Sequence, residues 1–160
     1  VTLHKYTWRP FRKSDLDTLE LLEEREIVLK HADDLHVMGE SLTDDQFCGI
    51  ACWNGEPILI GGWKEVIAGV YRVFIIPTKN IFNHPVNFTR IVIRWRRKIE
   101  RFPGCWKIIT VSLPLERIDQ WMKTVGFVYE RKLEQYTNGQ DYSLWSRTWD
   151  TAALINLRTN

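Results

Sequence analysis

Apolar positions along the chain change their period several times, and each change marks an element. An extended start, Leu3 to Arg9, gives way to Leu16, Leu19, Leu22 and Val28 at helical spacing. With Ser14 as cap and Asp17 three residues on as a variant capping box, this predicts a first helix to about Lys30. A second short helix is predicted through His31 to Met38. Phe47, Ile50 and Trp53 then lead into Asn54-Gly55, a hairpin turn, and Pro57 to Val66 is the return strand. Gly61-Gly62 inside that strand predicts a bulge or a close approach of backbone. Val70 to Ile76 reads as a buried central strand. From Val86 the period lengthens, with Phe88, Ile91, Val92, Trp95 and Ile99 at intervals of three and four, which predicts an amphipathic helix ending near Phe102-Pro103-Gly104. Trp106 to Leu113 is a predicted strand. Leu115 to Val125 is a helix with Ile118, Met122 and Val125 inward, stopped by Gly126. Phe127 to Tyr136 and Tyr142 to Trp149 are two strands joined through Asn138-Gly139.

Composition narrows this picture. The 160 residues suit one domain, 1–149, followed by a tail, 150–160, that we assign to a partner contact. A hydrophobic content of 44% with 26% charged residues is that of a globular chain and argues against extended disorder. The longest apolar run, Val73 to Pro77, is far too short to span a membrane, and the N-terminus lacks the apolar centre of a signal peptide. The expected location is therefore a cytoplasm, or a particle assembled there. Three cysteines fit neither a disulfide framework nor a zinc site, so no metal is expected, and Cys48 and Cys52 are placed on the core side of their strand. Eight tryptophans exceed what a small core needs, which predicts that at least one, with Trp149 the candidate, meets another protein.

Charge adds one local feature. A net charge of +2 excludes a nucleic-acid-like surface as a whole, so any contact with DNA must be local. Arg90, Arg94, Arg97 and Arg101 recur at helical spacing and form one stripe, flanked by Arg96 and Lys98, opposite the apolar face. Such a stripe either is a solvated face balanced by Glu20, Glu23, Glu24 and Glu26 of the predicted first helix, or is compensated by DNA, an acidic partner or a second subunit.

The segment PTKNIFNHP, Pro77 to Pro85, joins the central strand to the basic helix. A strand-to-helix turn is where many α/β proteins hold a phosphate, because the first helical N–H groups have no partner within the helix. Backbone approaches a phosphate closely where side chains are absent, and this turn offers Ile81, Phe82, Asn83 and His84 instead of glycine. With Phe82 exposed, the turn is itself a candidate contact surface.

The element order, with the opening YTWRPFRKSDLDTLELLE, the hairpin through NGEPILIGGW and the segment WMKTVGFVYER, resembles the GCN5-related N-acetyltransferase (GNAT) superfamily over almost the whole chain. The resemblance implies an α/β (α+β) fold, a mixed and mostly antiparallel sheet of six to seven strands with helices on both faces. It also implies acetyl-CoA in the splay between the fourth and fifth strands, with its pyrophosphate on a loop of pattern Gln/Arg-x-x-Gly-x-Gly/Ala. No such pattern can be placed over Pro77 to Arg90, and Pro85 has no N–H to donate. The tyrosine that the family often uses as general acid corresponds to Met122, and a frequent asparagine to Leu115. The stretch from Val70 through Ser146 further resembles the internal virion protein A family of short-tailed phages. The matching residues are Lys123, Thr124, Val125, Gly126, Tyr136, Gly139 and Gln140.

These resemblances and departures predict a non-catalytic component of a phage virion without a cofactor, made in the host cytoplasm. It would act through contacts with other virion or tail proteins or as a homo-oligomer, with Phe82, Arg90, Arg94, Arg97, Arg101 and Trp149 as its interaction surface. The alternative is a cytoplasmic N-acetyltransferase with a diverged acetyl-CoA site. In that case the N–H groups at the start of the Val86 helix, with Ile76, Asn83, His84 and Arg90, and charge from Lys79, would hold the cofactor, and Glu65 or His84 would serve as base.

Overall fold

The computed structural model describes residues 6–21, 47–137 and 139–149. The predicted first helix beyond Leu21, the second short helix and the tail 150–160 lie outside the described residues. The strands are β1 (Tyr6–Pro10), β2 (Phe47–Trp53), β3 (Glu56–Ile67), β4 (Val70–Pro77), β5 (Lys107–Ser112), β6 (Val128–Thr137) and β7 (Gln140–Thr148). The two α-helices are α1 (Pro85–Ile99) and α2 (Glu116–Thr124), and two short 3-10 turns cover Lys13–Asp17 and Lys79–Phe82. The strands form one sheet in the order β1-β2-β3-β4-β5-β7-β6. The sheet is mostly antiparallel, and β4 and β5 pair in parallel from Val70–Lys107 to Arg72–Ile109. This is the α+β sheet expected from the element order. Two compact units make up the chain, Val1–Lys64 with Val73–Val92, and Glu65–Arg72 with Ile93–Asn160.

In the first unit the hairpin β2–β3 forms where Asn54-Gly55 predicts it. Asn54 (φ 51°) and Gly55 (φ 87°) both take the left-handed conformation that a tight two-residue connection requires. Phe11, Leu21, Ile50, Cys52, Ile60 and Ile76 form a buried cluster, and Cys48 packs half-buried against it, so both cysteines of β2 are core residues. Gly62 marks a close approach. A Cβ there would stand 2.3 Å from the Phe47 carbonyl oxygen and 2.4 Å from the Phe74 ring. The register shift of this hairpin lies elsewhere, between Ala51 and Cys52.

The start of the predicted first helix needs correction. Ser14 is exposed and caps nothing, and Lys13–Asp17 is a single 3-10 turn. Asp15 organises it. Its Oδ2 accepts the Arg12 N–H at 2.7 Å, and its two oxygens take Arg9 Nη1 and Nη2 at 2.9 and 2.8 Å. This bidentate pairing ties the turn to β1, a role that a short acidic side chain performs by competing for nearby backbone N–H groups.

In the second unit β7 lies between β5 and β6, in register from Lys107–Thr148 to Ser112–Ser143 on one side. Trp145 is 1% exposed, and its indole N–H donates to Ser112 Oγ at 2.9 Å, so the largest core residue has its polar atom satisfied. Ile99, Ile108 and Val125 are buried in the same unit, each contributing about 1.5–3 kcal/mol by leaving water. Gly69 (φ 75°) closes the β3–β4 turn where a Cβ would stand 2.3 Å from the Gly104 carbonyl oxygen. Its N–H donates to Glu65 Oε1 at 2.7 Å.

The Arg9 pairing, ahead of the Arg12 N–H, holds the Asp15 carboxyl below its ordinary value. A depressed carboxyl contributes stability above its unfolded value of about 4 and loses it as the pH falls through the folded value. The urea midpoint should therefore drop below about pH 4, and Asp15→Asn should lower stability at pH 7 while making that acid limb shallower. An unchanged acid limb in Asp15→Asn would show that the pairing carries no stability.

Candidate functional site

The turn between β4 and α1 is built from the end of β4 outward. Thr78 is 1% exposed, its N–H donates to the Ile58 carbonyl at 2.9 Å, and its hydroxyl lies 2.8 and 3.0 Å from the carbonyls of Pro57 and Ile58. Asn80 Nδ2 donates to the Pro57 carbonyl at 2.9 Å, and Leu21 forms a bridge with Thr78. The Lys79 N–H reaches the Glu20 carbonyl at 2.8 Å. The turn is thus fixed to the start of β3 by side chains and backbone together.

Several of its own N–H groups are spent locally. Ile81 donates to Thr78 (3.2 Å), Asn83 to Asn80 (3.1 Å), His84 to Ile81 (3.1 Å) and Phe88 to His84 (2.9 Å). Pro85 opens α1 and has no N–H, which suits the first helical position. What remains are the N–H groups of Val86 and Asn87, which make no hydrogen bond among the described residues. They carry the partial positive charge of a 15-residue helix. The turn is closed to a phosphate at residues 81–84, as the absence of glycine implies, and open one step later at 86–87.

The other candidate residues divide around this point. Arg90, one turn along α1 from Val86, is exposed and makes no ion pair among the described residues. Helical side chains lean toward the N-terminus, so the reach of Arg90 covers the turn that carries the two open N–H groups. His84 Nε2 lies 3.0 Å from Glu56 Oε2, so the ring is held by a carboxylate at the first residue of β3. Glu56 was not singled out by sequence; its place directly after Asn54-Gly55 is the only signal. Asn83 is exposed with its N–H used. Ile76 is 3% exposed with its side chain in the core cluster, leaving only its backbone for a ligand. Phe82 and Val86 are 70% and 60% exposed, an apolar pair beside the open N–H groups.

Glu65 is not brought to this turn. It lies near the other end of β3, where its carboxylate closes the Gly69 turn. Met122 is 4% exposed in α2, and Leu115 stands at the start of that helix. Neither has a proton to give or a polar atom to position one. Within the arginine stripe, Arg90, Arg94, Arg97 and Arg101 are exposed as expected, but Arg96 is 7% exposed. The reason is legible in retrospect: Arg96 falls four residues after Val92 and three before Ile99, on the buried face. Trp149 is half-buried with its indole nitrogen enclosed and without a hydrogen bond, so it presents little free surface. Among the described residues no group of His, Cys, Asp or Glu could hold a metal, and no helix is long and apolar enough to cross a membrane.

No protein-family model and no curated protein sequence matches the chain. Solved structures do match. A GNAT-family acetyltransferase from Bacillus anthracis is 9% identical with a TM-score of 0.68, covering 89% of this chain and 94% of its own. A chimera of Vibrio cholerae spermidine N-acetyltransferase SpeG with hSSAT is 13% identical with a TM-score of 0.66, covering 94% and 98%. A GNAT-family acetyltransferase from Streptococcus pneumoniae is 12% identical with a TM-score of 0.59, covering 91% and 100%.

The fold is that of the GNAT acetyltransferases. This corrects the expectation of a non-catalytic phage virion component, because the structures that share the fold over nearly its full length are acetyltransferases. The expectation of no cofactor loses its ground with it. The departures at Met122 and Leu115 stand as facts of the sequence.

Met122 is a core residue, and its truncation should show it. Met122→Ala should cost about 2–5 kcal/mol in urea unfolding through a lost apolar contact and a residual cavity. A cost below about 1 kcal/mol would contradict the packing described.

Proposed function

We propose that the chain is an acetyl-CoA-dependent N-acetyltransferase whose pyrophosphate site has moved one step into α1. The observation that carries this reading is the pair of N–H groups at Val86 and Asn87 that make no hydrogen bond among the described residues, just after a turn in which Ile81, Asn83 and His84 have theirs taken, on a chain with the fold of acetyltransferases. The residues present fit a diphosphate. Two N–H groups at a helix start provide directed donors with favourable dipole, and the Arg90 guanidinium provides a delocalised charge with five donors. Lys79, beside the same turn, adds charge. Phe82 and Val86 give the adjoining apolar surface.

Acetyl-CoA supplies the activated acyl group, a thioester carbonyl open to attack by a neutral amine. The chain's part is to hold that thioester next to the amine, which accounts for much of the acceleration in a two-substrate reaction. Met122 cannot protonate the departing thiolate, so as the C–S bond breaks the proton comes from water or from the amine nitrogen, which becomes an ammonium only once the neutral amine has added to the thioester carbonyl. The class of acceptor is a primary or secondary amine. His84, already tied to Glu56, fixes the turn and is better suited to positioning than to taking a proton.

Calorimetric titration with acetyl-CoA tests the reading. Micromolar affinity is expected, weakened at least about tenfold by Arg90→Glu, the value of one charge-assisted hydrogen bond. Absence of binding at millimolar acetyl-CoA would end the proposal, and unaltered affinity in Arg90→Glu would remove Arg90 from it.

A further inference from the structure

The second unit contains a buried charge cluster that does not balance. Glu100 follows α1, and its Oε1 accepts the Arg147 Nε–H of β7 in a short hydrogen bond. The same oxygen stands 2.9 Å from Arg96 Nη1, close enough to pair in charge but not aligned as a hydrogen bond. Among the described residues Arg96 Nε has no hydrogen-bond partner either, and its side chain is 8% exposed. One carboxylate therefore faces two guanidinium groups. Arg97 is the remaining charge acting on Arg96, and it is also positive.

The burial of Arg96 is the largest influence on its guanidinium and works against the charged form. Yet arginine stays charged in proteins, so the cost must be met by a partner rather than by loss of the proton. A buried cation with two unpartnered N–H positions is a costly arrangement in a folded chain. A second observation shows where a partner would sit. Arg147 Nη1 donates to the Gly126 carbonyl at 3.1 Å. A Cβ at Gly126 would stand 3.0 Å from Arg96 Nη1 and 3.1 Å from Arg147 Nη1. Both guanidinium groups thus converge on the side of Gly126 that carries no side chain. Gly126 (φ 92°) is also the residue that ends α2.

We propose that Arg96 and Arg147, beside Gly126, bind a small inorganic anion that completes the cluster with Glu100. The Arg147 side chain, 31% exposed, provides the route from solvent, while Arg96 is the enclosed half of the site. Two guanidinium groups converging on one point suit a halide or a single oxyanion. Occupancy would join the end of α1, the α2–β6 turn and β7 through one ion. The site is independent of any acetyl-CoA binding at Val86 and Asn87.

The experiment is thermal unfolding of the full chain in chloride and in inorganic phosphate, against gluconate at equal ionic strength. A saturating rise of roughly 2–6 °C with chloride or phosphate is expected. It should be lost in Arg147→Met, and Gly126→Ala should reduce it by crowding both guanidinium groups. Chloride-35 line broadening on the unmodified protein provides a second measurement that does not depend on a variant folding. An equal response to all three salts, a response intact in Arg147→Met, or no specific chloride or phosphate effect with no excess broadening would overturn the proposal.

Discussion

The attachment of Thr78 to the start of β3 is the constraint on which the candidate site depends. A buried threonine with its N–H and its hydroxyl both directed to the Pro57–Ile58 backbone fixes where β4 ends and at what angle the chain leaves it. Asn80 repeats the attachment two residues on. Everything after that point follows from a short 3-10 turn with no slack. The N–H groups of Ile81, Asn83 and His84 find carbonyls three residues back, the helix begins at a proline, and Val86 and Asn87 follow with N–H groups that no described carbonyl takes. A glycine-rich loop would leave its N–H groups unspent and directed outward. Here the same function, if it is to be performed, falls to the helix and to the charged side chain one turn further along it.

This arrangement exchanges one kind of recognition for another. A cradle of backbone N–H groups is rigid, short in range and little affected by salt. Two N–H groups with an exposed arginine are weaker in geometry and stronger in long-range attraction, because the Arg90 guanidinium carries a full charge on a solvent-exposed side chain.

Much of this was legible in the sequence, and the failures are instructive. The hairpin at Asn54-Gly55 and the buried face of α1 followed from turn chemistry and from period, both local properties. The close approach at Gly62 was also foreseen, since glycine in a strand has few other reasons to be there. Ser14 failed as a cap because Asp15, by taking the Arg12 N–H and Arg9 besides, starts the turn at Arg12 and leaves Ser14 inside it, and a pairing with β1 is not visible in a helical pattern. Arg96 was read by its charge when its spacing from Val92 and Ile99 placed it inward. The largest misreading was functional. A missing glycine-rich loop and two replaced side chains, at Met122 and Leu115, pointed to lost chemistry, an expectation that the likeness to acetyltransferase structures overturns.

The misread arginine and the misread turn have a common physical basis. Side-chain identity reports what a residue could do in water, while burial and backbone accounting decide what it must do in the fold. Arg96 is charged but enclosed, so its requirement is a partner, and Glu100 is already shared with Arg147. The N–H groups of Val86 and Asn87 carry no chemical signature in the sequence, yet they make no hydrogen bond among the described residues. In both places the unmet requirement of a polar group, rather than the presence of a reactive one, identifies where this chain has capacity for a ligand. Both requirements are for negative charge, at opposite ends of the same helix. For α1 the helix dipole favours an anion at its start and disfavours one at its end, so an anion held near the C-terminus requires guanidinium groups to hold it. That is where the chain places two of them against a single carboxylate.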